Sequence, residues 1–449
     1  MQYAELDSWF TRRTHALTQL SAVSTYGRIT GISGILLESH LPHARIGDLC
    51  LISGKDNHEI MAEVVGFNPQ HTLLSALGAL DGIAQGARVT PLFQPHAICV
   101  SDQLPGSVLD GFGRAMDANS HSAFALMSEQ PNASPVLRAA PAPTDRPRIT
   151  QPLPTGIRAI DGLLTLGTGQ RMGIFAGAGC GKTTLLAEIA RNADCDVIVF
   201  GLIGERGREL REFLDHELDA ELRARTVLVC ATSDRSSMER ARAAFTATAI
   251  AEAFRDQGKN VLLIVDSLTR FARAQREIGL ALGEPPGRGG LPPSVYTLLP
   301  GLLERAGKTN QGAITALYSV LIEQDSMNDP VADEVRSLID GHIVLARWLA
   351  EKGHYPAIDV LGSLSRTMGQ VVDDEQVNEA RVLRQLMSAY KQVEMLIRLG
   401  EYQPGNDALT DVAVQIQAPI NGFLRQMNRH PSTLIQTRQA LQEVIAHAP

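Results

Sequence analysis

The chain is 449 residues long, which allows two or three domains, and 44% of it is apolar, enough for a large buried core. A formal net charge of −8 excludes a protein held to nucleic acid by an overall basic balance, though not a local basic lining. The five cysteines (Cys50, Cys99, Cys180, Cys195, Cys230) are irregularly spaced with no C-x-x-C pair, which argues against a disulfide framework and for free thiols in a reducing compartment.

The acidic start, Met1-Gln2-Tyr3-Ala4-Glu5-Leu6-Asp7, has no signal-peptide pattern, and no apolar run reaches bilayer length. The expectation is a cytoplasmic protein that meets a membrane only through partners. Residues 1–22 place Leu6, Trp9, Phe10, Ala16, Leu17 and Leu20 on roughly one helical face. Such a helix docks on a partner or a membrane surface, or packs on its own domain. In the next region, 23–95, short alternating segments at 27–32, 35–39, 48–53, 60–66, 72–76 and 87–91 are separated by Gly, Asn, Asp and Pro. That texture predicts a small N-terminal β-barrel.

The third region, 96–370, opens with glycine-rich 104–114, which reads as turns, and with 118–147, whose prolines read as a surface connection. From residue 148 onward, apolar runs at 172–175, 196–202, 226–230, 261–265, 314–320 and 342–345 alternate with amphipathic helices. These features predict an α/β domain with a doubly wound, mostly parallel sheet covered on both faces. The last region, 371–449, has helical periodicity at 379–399 and 434–445 with a break at Gln403-Pro404-Gly405-Asn406-Asp407, and predicts a C-terminal helical domain.

The chemistry centres on Ala176-Gly177-Ala178-Gly179-Cys180-Gly181-Lys182-Thr183-Thr184. A strand end precedes it and an amphipathic helix follows, so it reads as a phosphate-binding loop whose backbone N–H groups face one anion. Lys182 adds a charge for the terminal phosphates of ATP, and the Thr183 hydroxyl suits Mg²⁺. Ala176 stands where the motif has its first glycine, and a small residue is tolerable there at negative φ. Cys180 reads as a small residue that fits the loop. The run Val261-Leu262-Leu263-Ile264-Val265-Asp266 ends a strand on an acid that can position Mg²⁺ through water. A second strand end leads into Gly204-Glu205-Arg206-Gly207-Arg208-Glu209, where Glu205 is the candidate general base and Glu209, one helical turn on, is the runner-up and the more solvated of the two. Arg206 or Arg208 can pair with carboxylates or phosphates. No other metal-site spacing and no serine or cysteine triad motif occurs.

The stretches Gly204 to Glu209, Ala231-Thr232-Ser233-Asp234-Arg235-Ser236-Ser237, Asp266-Ser267-Leu268-Thr269-Arg270-Phe271 and His354-Tyr355-Pro356-Ala357-Ile358-Asp359 resemble the type III secretion ATPase family. That family includes the flagellar export and injectisome ATPases and is similar to the catalytic subunit of rotary ATP synthases. The resemblance runs from the barrel to the helical end and implies a RecA-like ATPase domain and a homohexameric ring at the base of an export apparatus. It implies stalk and stator partners, cargo–chaperone complexes released and unfolded by ATP hydrolysis, and membrane contact only at the export gate. By the same resemblance, Glu205 is the catalytic glutamate, Asp266 the strand-end acid, Tyr355 the face against adenine, and Arg366 the arginine given to a neighbouring subunit's site.

The loop 283–293, with Arg288, resembles the family's pore loop. Two departures stand out: Gln324 and Ser326 where the family usually has glycine and an acid, and Gly106-Ser107 for a usual Gly-Arg. Flagellar against injectisome use stays open. A nucleic-acid translocase of the transcription-terminator type shares the loop, the glutamate and a small barrel, but the acidic balance opposes it. A non-catalytic nucleotide-binding ring subunit is the third reading, and Glu205 opposes that one.

Overall fold

A computed structural model describes residues 25–54, 59–322 and 329–446. The helix expected over residues 1–22, and Gln324 and Ser326, lie outside the described residues. The described chain divides into two units, with the division after Pro95.

The first unit is a closed barrel of strands Gly27–Ser33, Leu36–Ser39, Asp48–Ser53, Glu59–Phe67, Thr72–Ala76 and Arg88–Pro95. All pairings around it are antiparallel. Alternation drives the closure: Ile29 is buried between exposed Arg28 and Thr30, and Leu37, Cys50, Ile52, Val64, Leu74 and Val89 fill the interior. Burial, with Asp48 and Glu63 nearby, pushes the Cys50 thiol up to about 12, so it behaves as a packed apolar group.

The second unit is built on one large sheet. Across it run Leu364–Ser365, Gly341–Leu345, Arg171–Ala176, Ala313–Leu321, Asn260–Asp266, Val197–Ile203, Thr226–Ala231 and Val108–Asp110. Every neighbouring pair on this path is parallel except the edge pair Gly341–Leu345 with Leu364–Ser365. The central strands are apolar throughout because helices cover both faces, and Val197–Ile203 and Thr226–Ala231 are buried at every residue. The six runs expected as strands are all strands. The turns expected at 104–114 contain a strand instead: Val108–Asp110 pairs in parallel with Thr226–Ala231 and forms one edge of the sheet. A three-residue strand, set between Gly106 and Gly111, is too short to show a period. The connection expected at 118–147 also carries the short strands Phe124–Ala125 and Ser134–Pro135, both paired with Ala97–Ile98. Ser107, at the Gly-Arg departure, serves this edge: its Oγ accepts the His121 N–H at 2.9 Å and its carbonyl accepts the Leu228 N–H at 3.0 Å.

Helix Ser237–Asp256 lies almost wholly buried against the sheet, capped by Ser236 Oγ, which accepts the Glu239 N–H at 3.2 Å. Its Glu252 pairs with Arg305 at 2.5 Å and Arg138 at 2.9 Å, with Glu252 and Arg305 each 1% exposed. The chain ends in helices Asp374–Leu399, Ala408–Gln415, Gln417–Leu424 and Leu434–Ala446. Asp373 caps the first, and Gly400, at φ +73, ends it in the left-handed conformation. Leu383, Leu386, Phe423 and Leu441 carry these helices into one hydrophobic core with the sheet.

Candidate nucleotide site

Parallel strands all end on one edge of the sheet, and the groups expected to do chemistry lie at that edge. Arg171–Ala176 ends in the phosphate loop, and helix Lys182–Asn192 begins after Gly181. Ala176 is the last residue of the strand, fully buried and in extended pairing with Leu321 and Leu345. Its Cβ packs in the core, which is why a glycine is not needed there. Gly181 is needed: it sits at φ +79, a conformation a side chain resists. No side chain caps this helix, so its first N–H groups remain open to an anion. Ala178 and Gly179 are exposed, a Cβ on Gly179 would meet nothing within 4 Å, and Gly177 and Cys180 are buried beneath. Thr183 is exposed at the loop's mouth and Thr184 is half-buried.

The Lys182 ammonium forms an ion pair with Asp266 Oδ1. Asp266 ends its strand, 3% exposed, and also accepts a hydrogen bond from Ser319 Oγ at 2.5 Å. Register fixes Glu205: Leu202 lies opposite Asp266 on the adjacent strand, so the chain reaches Glu205 just past the same edge. Gly204, at φ +68, lets Arg270 lie across the turn; a Cβ there would meet Arg270 Cδ at 2.8 Å. Arg270 Nη1 donates to the Gly204 carbonyl, and Nη2 lies 3.4 Å from Glu205 Oε2. Burial and the Asp266 charge push the Glu205 carboxyl up to about 7, against the pull of Lys182 and Arg270. Glu209 shares a hydrogen bond with Glu205, which holds Glu209 below the usual carboxylate range, with Arg206 at 2.8 Å adding to it. Glu209 is thus half-exposed but tied to Glu205, rather than simply solvated. Arg208, its side chain 89% exposed, pairs with Glu212 at 2.9 Å.

Beside the loop lies a cavity of about 190 Å³. Tyr355 forms one wall, its ring 3.7 Å from where a Gly181 Cβ would be. Ile157, Leu185 and Leu345 make the apolar floor, and Gln426, Met427 and Asn428 close it from the stretch between helices Gln417–Leu424 and Leu434–Ala446. Gln426 holds that wall in place. Its N–H donates to the Tyr355 carbonyl at 2.9 Å, its Oε1 accepts the Arg158 N–H at 2.9 Å, and its Nε2 donates to the Gly156 carbonyl at 2.6 Å.

The residues present fit ATP with Mg²⁺. An uncapped helix end, a lysine and an open glycine turn suit phosphates, the apolar cavity suits a purine, and Thr183 and Asp266 are oxygen donors at the right edge. Among the described residues there is no group of three or more His, Cys, Asp or Glu side chains that could hold a metal, and a Mg²⁺ that keeps phosphate and water oxygens needs none.

Arg366 is not in this cluster. Its N–H donates to the Asp340 carbonyl at 2.9 Å, and Asp340 binds the N–H of Arg171 at 3.0 Å, at the start of the phosphate-loop strand. A strand advances about 3.3 Å per residue, which leaves Arg366 roughly 16 Å from the loop end, on the opposite edge of the sheet. Sequence reasoning missed Ser319, Arg270 as the partner of Glu205, and the Gln426–Asn428 wall. Ser319 is a polar residue inside an apolar strand, which is a visible signal; the wall depends on a return of the chain that no local pattern announces.

Known proteins share this arrangement. The model of the ATP synthase alpha/beta family nucleotide-binding domain matches residues 156–365, and that family's β-barrel domain matches residues 29–92. The T3SS EscN ATPase C-terminal domain matches residues 372–443. The type 3 secretion system ATPase of Pseudomonas syringae pv. tomato is 64% identical over 446 residues, 99% of each chain. The flagellum-specific ATP synthase of Bacillus subtilis is 44% identical over 418 residues, 93% of this chain and 94% of that one. The assembled ATPase EscN of the enteropathogenic E. coli type III secretion system superposes with a TM-score of 0.87 at 46% identity, covering 93% of this chain and 100% of that one. The chain belongs to the type 3 secretion system ATPase family.

Proposed function

We propose that this chain hydrolyses ATP at a site shared between neighbouring copies in a homohexameric ring, and that the ring drives protein export by releasing and unfolding chaperone-bound cargo. The observation that carries this reading is the meeting of Lys182, Asp266 and Glu205 at one sheet edge while Arg366 stands at the other. Lys182 and the loop amides from Gly177 to Thr184 bind the phosphates. Thr183 would hold Mg²⁺ and Asp266 would position it through water, where the ion would supply charge neutralisation for the phosphates. Glu205, steadied by Arg270, takes the proton of the attacking water. Tyr355 and Met427 flank the adenine. Arg366 cannot reach its own loop, so it serves a neighbour's nucleotide, where such an arginine is often worth about 10³–10⁵ in rate.

The higher identity to a type 3 secretion system ATPase, 64% against 44% for a flagellar relative, supports service in an injectisome. A relative, EscN, is seen in complex with its central stalk EscO, which supports a stalk partner here; a stator and cargo–chaperone complexes complete the set. Among the described residues no helix is long and apolar enough to cross a membrane. The reading places the ring in the cytoplasm, peripheral to the inner membrane at the export gate. The test is ATP hydrolysis by the purified chain over a range of protein concentrations with Mg²⁺. Specific activity should climb as copies assemble; activity constant down to the monomer would contradict the shared site.

A further inference from the structure

A second cavity, of about 490 Å³, lies behind the first, within the size range of small-molecule sites. The two cavities share a two-ply wall. In one ply, Tyr355, Pro356 and Ala357 face the nucleotide cavity while His354, Ile358 and Asp359 face the second. In the other, Gln426, Met427 and Asn428 face the nucleotide cavity while Leu424 and Arg425 face the second. The plies are joined by the Gln426 N–H to Tyr355 carbonyl bond at 2.9 Å.

The far side of the second cavity is one face of helix Asp374–Leu399. Met387, Lys391, Glu394 and Arg398 follow three- and four-residue spacing and all line it. Trp348 adds a half-exposed aromatic wall, its ring under the Lys352 ammonium at 4.9 Å. Charge is unbalanced. The lining holds four cations, Lys352, Lys391, Arg398 and Arg425, against the carboxylates of Asp359 and Glu394. Glu394 is spent on Lys352, at 3.3 Å, and on Arg398; Asp359 is spent on the Leu361 and Gly362 N–H groups at 3.1 and 3.2 Å. Lys391 and Arg425 have no ion-pair partner among the described residues. Gln417, also in the lining, buries its Oε1 with no hydrogen-bond partner. Apolar and aromatic walls with surplus positive charge recognise a molecule that is apolar at one end and anionic at the other.

We propose that this cavity is a second ligand site, distinct from the nucleotide cavity, that takes a small amphipathic anion, an aromatic or aliphatic body bearing a carboxylate, sulfonate or phosphate. Through the shared wall its occupancy is coupled to nucleotide affinity. The coupling rests on the nucleotide reading above; the site itself does not.

The probe is 8-anilinonaphthalene-1-sulfonate, an aromatic sulfonate that fluoresces when bound in an apolar cavity. It is titrated into the full chain with and without saturating Mg-ADP. The expected result is one tight probe site per chain that persists under saturating ADP. Met387→Trp, which fills the cavity from the helix, should abolish it, and Lys391→Glu, on an exposed position that leaves the fold intact, should weaken it about tenfold. The probe and ADP should alter each other's affinity by the same factor, about fivefold or more. Unchanged probe binding in Lys391→Glu and Met387→Trp, or complete competitive displacement by ADP, overturns the site. Probe binding that the variants remove, with ADP affinity equal in both states, overturns the coupling alone. A failure of the nucleotide reading shows separately, as absence of ADP binding, and leaves the ADP-free titrations to decide the site.

Discussion

Lys182 and Asp266 meet as an ion pair although the strand that leads to the Lys182 loop and the strand that ends at Asp266 are not neighbours. Strand Ala313–Leu321 runs between them, and its Ser319 donates to the same carboxylate. The lysine proposed to serve phosphates is therefore paired with the acid proposed to serve the metal. Binding must exchange one anion for another at Lys182, which keeps the ammonium paired throughout.

Asp266→Asn removes that competitor. It should tighten binding of metal-free ATP about tenfold, the scale of one hydrogen bond to a charged group, while abolishing Mg²⁺-dependent hydrolysis. Titration of a fluorescent ATP analogue in EDTA, beside a hydrolysis assay in Mg²⁺, separates the two effects. Weaker metal-free binding in the variant would contradict a competing role for Asp266.

Glu205→Gln keeps the shape and the contact with Arg270 but cannot take a proton. Turnover should fall by about 10²–10⁴, with nucleotide affinity within a fewfold of the parent. Single-turnover hydrolysis together with equilibrium binding checks this, and parental turnover in the variant would remove Glu205 from the chemistry.

The barrel and the central strands were legible in the sequence because each is a simple period: alternation in the barrel, continuous apolar runs in a sheet covered on both faces. The edge strands Val108–Asp110 and Leu364–Ser365 were not, because two or three residues carry no period. The strand-end rule brought Lys182, Glu205 and Asp266 to one edge in advance. It could not give Arg270 as the partner of Glu205, which depends on the twist of a turn at Gly204, nor Met427, which arrives from far along the chain. Tyr355 and Arg366 were legible only through family resemblance.

The Glu252–Arg305 pair, buried at 1% exposure on both sides, predicts a stability effect remote from the site. Glu252→Ala leaves Arg305 charged in the interior with the Val136 carbonyl as its remaining partner at 2.9 Å. The loss should be about 3–5 kcal/mol, read as a lower urea midpoint at unchanged slope. A shift below the error of that measurement would mean that water reaches the guanidinium.

His96 predicts a pH dependence of stability. It is stacked on Phe124 with ring centres 5.4 Å apart, its Nε2 bonds the Phe112 carbonyl at 2.9 Å, and its Nδ1 is buried without a partner. Burial first, and the Arg242 charge second, lower its pKa from 6.5 to about 3. The unfolded chain then binds a proton that the folded chain refuses, so this contribution is complete above pH 6.5 and is lost as pH falls toward 3. The slope is about 1.4 kcal/mol per pH unit inside that window. Urea unfolding of the parent and of His96→Gln between pH 7 and pH 5 isolates it: the parent should lose stability faster. Parallel curves would mean that His96 titrates normally in the fold.

The central claim is that one ATP site is built by two copies of the chain. Lys182→Ala disables the loop, and Arg366→Ala disables only what a protomer gives its neighbour; each variant alone should be inactive while still assembling. Mixing the two before assembly creates interfaces with an intact Lys182, Glu205 and Asp266 on one side and an intact Arg366 on the other. Hydrolysis should reappear in the mixture. A mixture as inactive as its components, with mixed assembly verified, would contradict the shared site.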